Sequence, residues 1–312
     1  MDVLVVGGAG TIGATAAYTL SVVRPSVTVT LVDPRTDPLE GHAIDLRHSR
    51  LHVTHAAGGD GLPGEVAVRE PAPELVDAAD CVVVAASVPR PDGGAQRGGR
   101  RTFLEDNLAL AGELADWIGA AEPTPIVVVS NPVDQFTHRL WRRTGWPRRH
   151  FLGYSLSETA RIADELGRLA DTSPARVSCP VLGEHGEHVV PAFSRATVDG
   201  EPLELTADER ERALEYVRNV PYDVIARRGG DETSRWVTGR GVAALVERLL
   251  EGGTDEPVCL STPLAGEYGL RDVSLSVPVT LDRAGVAEIH EWTLADAERA
   301  GLEAAAESVR ME

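Results

Sequence analysis

The sequence predicts an α/β protein in which a doubly wound parallel sheet is followed by a second domain of α+β type. The first half contains short, uninterrupted apolar runs separated by helical patterns, and the second half contains hairpin-like strands between helices. A glycine-rich loop also follows the first apolar run directly. Uninterrupted apolar runs are typical of strands that are buried on both faces of a parallel sheet.

The elements of the first half follow from these patterns. Between the third and fourth apolar runs, apolar residues recur at helical spacing from Leu108 to Ile118, which predicts an amphipathic helix. The predicted strands are Val3–Val6, Val27–Val32, Cys81–Ala86 and Ile126–Val129, and the predicted helices are Thr11–Leu20 and Leu104–Ile118.

The second half has a different organisation. Turns at Asp199–Gly200 and Asp282–Gly285 indicate antiparallel hairpins. The predicted helices are Glu158–Leu169, Ala207–Arg227, Gly241–Leu250 and Leu294–Val309, and the predicted strands are Val177–Leu182, Ala192–Val198, Val273–Leu281 and Val286–Trp292. We therefore expect a domain of residues 1–148, a domain of residues 149–312 and a cleft between them.

The composition excludes several classes of partner. Asp and Glu total 48 against 30 basic residues, giving a net charge of −18, so we expect no binding to nucleic acid or to a membrane. Every basic residue is arginine, which fits either a GC-rich genome or adaptation to high salt.

The three cysteines are far apart and no leader pattern precedes Val3, so we expect no disulfide, no metal site and a cytoplasmic location.

The loop from Gly7 to Gly13 is typical of a dinucleotide-binding Rossmann domain. Gly8, Gly10 and Gly13 fit the pattern GxGxxG, and the loop lies between a strand and a helix. Asp33 ends the second strand 20 residues beyond Gly13, where an acid binds the adenosine ribose and disfavours a 2′-phosphate. We expect NAD to bind here, although Arg35 lies two residues from this acid. The alternative is a glycine-rich structural turn.

Two further segments carry residues suited to acid–base chemistry. His185 lies at a strand end within Gly183–His188, and neutral imidazole serves as a general base near neutral pH. Glu158 and Arg161 are spaced i and i+3 on one helix face, so both can reach a cleft, although an exposed ion pair has the same spacing.

A third segment lies where ligands of open α/β sheets bind, after the third strand. Residues 88–101 contain four glycines and the arginines Arg90, Arg97, Arg100 and Arg101. This composition is typical of a mobile, cationic lid. A flexible solvated loop is the alternative.

Together these motifs resemble the NAD-dependent malate/lactate dehydrogenase family over nearly the whole chain. The resemblance is carried by the glycine loop, by Gly41–Leu46, by Ser130–Asp134 and by Leu182–Glu187. The C-terminal half matches at Tyr268–Gly269, Asp272–Val273, Val277–Val279 and Gly285–Val286.

The resemblance implies a role for each matching residue. His185 would accept the proton of the substrate hydroxyl, and Glu158 would orient its ring. Arg161 would bind the substrate's carboxylate, Arg100 would polarise its carbonyl oxygen, and Asn131 would lie near the nicotinamide ribose and the substrate. Gly8, Gly10, Thr11, Ile12, Gly13 and Asp33 would bind NAD, and family members commonly form dimers or tetramers.

Arg90 resembles the family's selectivity position, where arginine accompanies malate and glutamine accompanies lactate. A buried cation matches the second carboxylate of oxaloacetate but not the methyl group of pyruvate. We therefore expect reversible oxidation of (S)-malate with NAD.

The chain departs from the family pattern in two places. Glu158 stands where the family usually has aspartate. The loop between Arg90 and Asn107 is several residues longer than usual, which leaves Arg97 and Arg101 as alternatives to Arg100. An L-lactate or other 2-hydroxy-acid dehydrogenase, or a catalytically silent NAD-binding protein, are the alternative functions.

Overall fold

The structure of the protein, a computed structural model, describes residues 1–56, 64–89, 104–229 and 234–310. The strands are β1 Asp2–Val6, β2 Thr28–Val32, β3 Val66–Val68, β4 Cys81–Val84, β5 Ile126–Val128, β6 Phe151–Gly153, β7 Val177–Ser178, β8 Val181–Gly183, β9 Val189–Pro191, β10 Thr197–Val198, β11 Glu201–Pro202, β12 Thr254–Ala265, β13 Arg271–Asp282 and β14 Gly285–Ile289. The helices are α1 Thr11–Val23, α2 Thr36–Ala56, α3 Pro73–Asp77, α4 Leu104–Ile118, α5 Val133–Thr144, α6 Leu156–Leu169, α7 Ala207–Arg227, α8 Arg235–Glu251 and α9 Asp296–Val309.

The first six strands form the predicted parallel sheet, in the order β3-β2-β1-β4-β5-β6. Both faces of the sheet are buried. Val3 and Val5 contribute to one hydrophobic core, while Leu4 and Val6 contribute to a second core on the opposite face. Helices α1 and α8 supply the first core and α4 and α5 the second. The fold class expected from the sequence is therefore confirmed.

The sheet continues into the second half of the chain without a break. Strand β12 is antiparallel to β6 through the pair Ser261 and Gly153, and β13, β8 and β9 follow. Only glycine fits at residue 153, since a Cβ there would lie 2.6 Å from the Cβ of Ser261 and 2.8 Å from side-chain atoms of Thr137 and Val133. One continuous sheet therefore runs through both halves of the chain. The domain boundary between residues 148 and 149 stays a prediction.

Two predicted strands are wrong in detail. The run Val177–Leu182 is split at Pro180, which has no N–H to donate, into β7 of a small three-stranded sheet and β8 of the large sheet. The run Ala192–Val198 is not one strand, because a single 3-10 turn occupies Phe193–Arg195 before β10 begins.

The other predicted elements are confirmed with shifted ends. Helix α8 begins at Arg235 rather than Gly241, β4 ends at Val84, and β14 ends at Ile289. The turn at Asp199 and Gly200 joins β10 to β11, with φ values of 52° and 86° that suit a tight hairpin. None of the helices in the described ranges is long and apolar enough to cross a membrane.

Two helical glycines provide a test of the packing around the glycine-rich loop. A Cβ at Gly13 would lie 2.3 Å from the backbone oxygen of Gly7, whereas a Cβ at Gly41 would meet nothing within 4 Å. We expect Gly13→Ala to lower the free energy of unfolding by about 1–3 kcal/mol through overpacking. Gly41→Ala should raise it by roughly 0.5–1 kcal/mol because alanine favours a helix interior.

Urea unfolding of the two variants measures both effects. Equal stability of the two variants would show that the loop yields to a methyl group and is not held in the described conformation.

Candidate active site

The glycine-rich loop forms a backbone cradle at the start of α1. Gly7 has a φ of 90° and donates its N–H to Val32 O at 2.8 Å, which turns the chain sharply after β1. The first helical hydrogen bond runs from Ala14 N to Gly10 O, so the N–H groups of the preceding residues face out of the helix end. The residues of this open turn are Thr11, Ile12 and Gly13.

This cradle fits the pyrophosphate of a dinucleotide. Free N–H groups and the positive end of the helix dipole favour a phosphate. A Cβ at Gly10 would lie 3.2 Å from Gly7 O, and one at Gly8 would lie 3.0 Å from Leu31 and Leu39 atoms, so side chains are excluded from the turn.

Asp33 lies at the end of β2 beside this cradle and is buried. Its Oδ2 accepts hydrogen bonds from Ala9 N and Arg35 Nη2, both at 3.1 Å. Its Oδ1 accepts from Arg35 N and Arg35 Nε, both at 3.0 Å. Burial raises the pKa of Asp33, but the hydrogen bonds and charge of Arg35 outweigh burial and hold the pKa below its usual value.

A buried charge cluster joins α6 to the loop after β8. The Nδ1 of His185 lies 2.9 Å from Glu158 Oε2, and Arg161 Nη1 lies 3.0 Å from Glu158 Oε1. All three side chains are largely buried, with exposed fractions of 9%, 6% and 12%. The i, i+3 pair expected from the sequence therefore points into the protein and meets His185.

Glu158 is held as a carboxylate in this cluster. Burial raises its pKa, but the opposite charges of His185 and Arg161 outweigh burial and lower the pKa to about 2. Its place in the first turn of α6 adds the favourable end of the helix dipole. An ionised carboxylate at Nδ1 makes that nitrogen the protonated one, which leaves Nε2 as the basic atom of the ring.

The loop that presents His185 is shaped by its neighbours. Gly183 has a φ of 90°, and a Cβ there would lie 2.5 Å from His188 O. The carboxylate of Glu184 accepts a hydrogen bond from His188 N at 2.9 Å and closes the loop. Glycine at position 183 is therefore required for the turn that exposes His185 at the strand end.

Asp134 ties this loop to the parallel sheet. It lies in the first turn of α5, and its Oδ2 accepts a hydrogen bond from His185 N at 2.8 Å. Its Oδ1 accepts from Ser261 Oγ at 2.6 Å. Burial raises the pKa of Asp134 to about 7, against the lowering effect of these two hydrogen bonds. Asp134 lies in the Ser130–Asp134 motif, but its role is not visible in the sequence because its partners are distant in the chain.

Asn131 belongs to the same segment, just before α5. Its side-chain Oδ1 is buried and accepts no hydrogen bond from the described part of the chain. Its backbone oxygen accepts from Asn107 Nδ2 at 2.9 Å, and Asn107 Oδ1 accepts from Val88 N at 2.9 Å. Asn107 therefore holds Val88, the first of residues 88–101 that contain the four arginines, against the segment that carries Asn131.

The predicted site residues fall into four groups. The structure brings His185, Glu158 and Arg161 together, and it places the glycine loop and Asp33 at the cradle. Asn131 is linked to His185 through Asp134. The arginines Arg90, Arg97, Arg100 and Arg101 lie outside the described residues.

A parallel sheet with a phosphate cradle, joined to a domain with a buried histidine–carboxylate pair, defines the class of dinucleotide-dependent enzymes. Comparison with known proteins narrows this class. Residues 1–153 match the family model for the NAD binding domain of lactate/malate dehydrogenases. Residues 158–312 match the model for their alpha/beta C-terminal domain. The chain belongs to the lactate/malate dehydrogenase family.

Individual relatives agree with this assignment. The chain is 34% identical to a malate dehydrogenase of Halobacterium salinarum, covering 98% of this chain and 96% of the relative. It is 33% identical to a malate dehydrogenase of Haloarcula marismortui, covering 98% and 96%. The solved malate dehydrogenase of Aeropyrum pernix superimposes with a TM-score of 0.87 at 26% identity, covering 99% and 96%.

The raised pKa of Asp134 predicts a pH dependence of stability. The folded state keeps this proton up to about pH 7, whereas the ordinary pKa is 3.8. Folding therefore loses stability as the pH rises between these values, by at most about 1.4 kcal/mol per pH unit. Asp134→Asn cannot ionise, so its free energy of unfolding relative to wild type should rise over this window and level off above it.

Urea unfolding at a series of pH values checks this prediction. Asp223→Asn, at an exposed position on α7, is the control and should run parallel to the wild type. A constant difference between Asp134→Asn and wild type would show that the pKa of Asp134 is the same in the folded and unfolded states.

Proposed function

We propose that the protein is an NAD-dependent malate dehydrogenase that interconverts (S)-malate and oxaloacetate. The observation that carries the proposal is the buried His185–Glu158–Arg161 cluster, which combines a general base with a guanidinium for a carboxylate. Family membership and relatives named malate dehydrogenase support the same activity.

Each member of the cluster has a distinct task in this proposal. Glu158 keeps the proton on Nδ1 of His185, so Nε2 takes the proton of the substrate hydroxyl during oxidation. Glu158 then stabilises the imidazolium that forms. Arg161 binds the C1 carboxylate, and no hydrogen bond within the described part of the chain uses its Nη2 atom. A donor of Arg161 that the described residues leave unused would therefore face the substrate.

The cofactor's position follows from the cradle and Asn131. Bound NAD supplies the hydride acceptor. The outward-facing N–H groups of Thr11, Ile12 and Gly13 would hold the pyrophosphate. Gly8 and Gly10, whose own N–H groups donate to Val32 O and Gly7 O, would let it approach the backbone closely. The unpaired Oδ1 of Asn131 supplies a polar contact near the nicotinamide ribose and the substrate. Asp134 keeps Asn131 and His185 in a fixed relation because it bonds to the His185 backbone.

The substrate preference rests on the sequence at Arg90. Its guanidinium matches the second carboxylate of oxaloacetate, and Arg100 polarises the carbonyl oxygen as negative charge develops. Arg97 and Arg101 remain alternatives to Arg100. These four assignments come from the resemblance of the segment to the family pattern.

We also propose a homo-oligomer in the cytoplasm. Large apolar side chains are exposed on α1, α2 and α8, including Tyr18 at 46%, Ile44 at 46% and Trp236 at 58%, which suits a face covered by a second subunit. The three cysteines are buried free thiols, which suits a reducing compartment. The acidic composition leaves adaptation to high salt as a prediction, so activity is best measured at low and high salt.

Variants of His185 and Glu158 test the cluster, and they separate the effect of side-chain charge from the effect of side-chain size. His185→Ala should lower turnover of oxaloacetate with NADH by about 10²–10⁴-fold, because the proton-transfer group is lost. Glu158→Gln keeps the size of the side chain but removes its charge, so turnover should fall and its pH dependence should change. Glu158→Asp restores the charge at a shorter reach and should recover part of the activity. NADH oxidation followed by absorbance measures all three.

The control is a second i, i+3 pair on the same helix. Glu165 is buried and pairs with Arg168, so Glu165→Gln removes a comparable charge outside the cluster and should keep wild-type turnover. Normal turnover in His185→Ala would overturn the assignment. NADH binding without turnover of any 2-oxo acid in the wild type would favour a silent binding protein.

Arg90→Gln tests the choice of substrate. Removing the cation should shift the ratio of kcat/KM for oxaloacetate over pyruvate toward pyruvate by on the order of a hundredfold, because oxaloacetate loses its charge partner. Arg100→Gln is the matched variant in the same segment and should lower kcat/KM for both substrates alike. A wild-type preference for pyruvate would instead favour the lactate dehydrogenase alternative.

A further inference from the structure

The carboxylate of Asp33 is fully used within the protein. An ionised carboxylate offers about four acceptor positions. Asp33 receives four hydrogen bonds, one from Ala9 N and three from the backbone and side chain of Arg35. All four distances are 3.0–3.1 Å, so none of these bonds is marginal.

Because the acceptor positions of Asp33 are occupied, the ribose of a bound dinucleotide would find a different environment here from that in other Rossmann domains. In a Rossmann domain, an acid at this position selects NAD by accepting the ribose 2′-hydroxyl and by repelling a 2′-phosphate. Here the hydroxyl would have to displace a hydrogen bond from Arg35. The positive charge of Arg35 also offsets the negative charge of Asp33, because the guanidinium binds both carboxylate oxygens.

Arg35 is placed to contact a group at the ribose. Its side chain is 58% exposed, although it pairs with a buried acid. A Cβ at Gly10 would lie 3.7 Å from Arg35 Nη2, so the guanidinium lies beside the phosphate cradle. Helix α2 begins at the next residue, Thr36, and its positive end adds to the attraction for an anion. Asp37, exposed in the first turn of α2, is the opposing charge.

We propose that Arg35 converts this position into a site for either cofactor, so that the protein binds NADP(H) as well as NAD(H). The guanidinium keeps its two bonds to Asp33 and donates its remaining N–H groups to the 2′-phosphate. An arginine near the ribose is the general means by which such a domain accommodates this phosphate. The proposal concerns the cofactor of the reaction described under Proposed function.

Binding of the reduced cofactors tests the proposal without any substrate. NADH and NADPH are titrated separately at one ionic strength, with quenching of tryptophan fluorescence as the signal. The variants are Arg35→Ala and, as the control, Arg143→Ala. Arg143 also pairs with an aspartate of the same domain, Asp116, and its exposure of 55% is similar to that of Arg35.

The ratio of the two dissociation constants gives the result. Wild type should bind NADPH within about tenfold of NADH, and Arg35→Ala should shift the ratio toward NADH by about tenfold or more, since a charge-assisted hydrogen bond is lost and Asp33 becomes repulsive. Arg143→Ala should keep the wild-type ratio. A wild-type ratio beyond this range, or a smaller shift in Arg35→Ala, would overturn the proposal.

A reciprocal variant keeps the test independent of folding defects. Asp33→Asn removes the negative charge without changing the size of the side chain. NADPH should then bind at least as tightly as in wild type. Weaker binding of NADPH in Asp33→Asn would also contradict the proposal.

The outcome is separable from the assigned reaction. If NADH supports oxaloacetate reduction but the ratio does not respond to Arg35→Ala, only the cofactor proposal fails. If the ratio shifts as expected but no oxaloacetate is reduced with either cofactor, only the reaction is wrong.

Discussion

The proposed site depends on a buried, ionised carboxylate at Glu158, whose partners come from two separate parts of the chain. Removing an unpaired charge from water is costly, so both oxygens of Glu158 need cationic or polar partners. Arg161 comes from the same helix, whereas His185 comes from a different strand end. The contact therefore depends on the packing of α6 against the sheet that carries β8. The same contact fixes which ring nitrogen is basic.

Asp134 links the His185 loop to the dinucleotide-binding half of the chain. Its carboxyl contacts the backbone of His185 and the hydroxyl of Ser261, so one buried side chain joins three chain segments. Asn131 lies three residues earlier on the same segment, and Asn107 connects that segment to the end of the third apolar run. These contacts together hold His185 and Asn131 in a fixed relation.

The sequence predicts features that depend on neighbouring residues, but it does not predict contacts between residues that are distant in the chain. The glycine loop, Asp33 and the Glu158–Arg161 pair were identifiable because turns and i, i+3 spacing depend on neighbouring residues. Long-range partners such as Ser261 for Asp134 leave no periodic signal. The sequence analysis does not predict α5, whose buried face includes the polar residues Asp134, Thr137 and His138, or β12, which contains two prolines. The run Val177–Leu182 looks like one strand in the sequence, yet Pro180 divides it between two sheets.

The pair Gly153 and Ser261 has a mechanical consequence. Because β-sheet hydrogen bonding passes from one half of the chain to the other at this point, rotating one half against the other would shear a close-packed junction that has no room for even a methyl group. This junction opposes rotation of one half against the other, which favours a fixed separation between the glycine-rich loop and His185. Ligand affinity then need not be diminished by the work of closing a hinge.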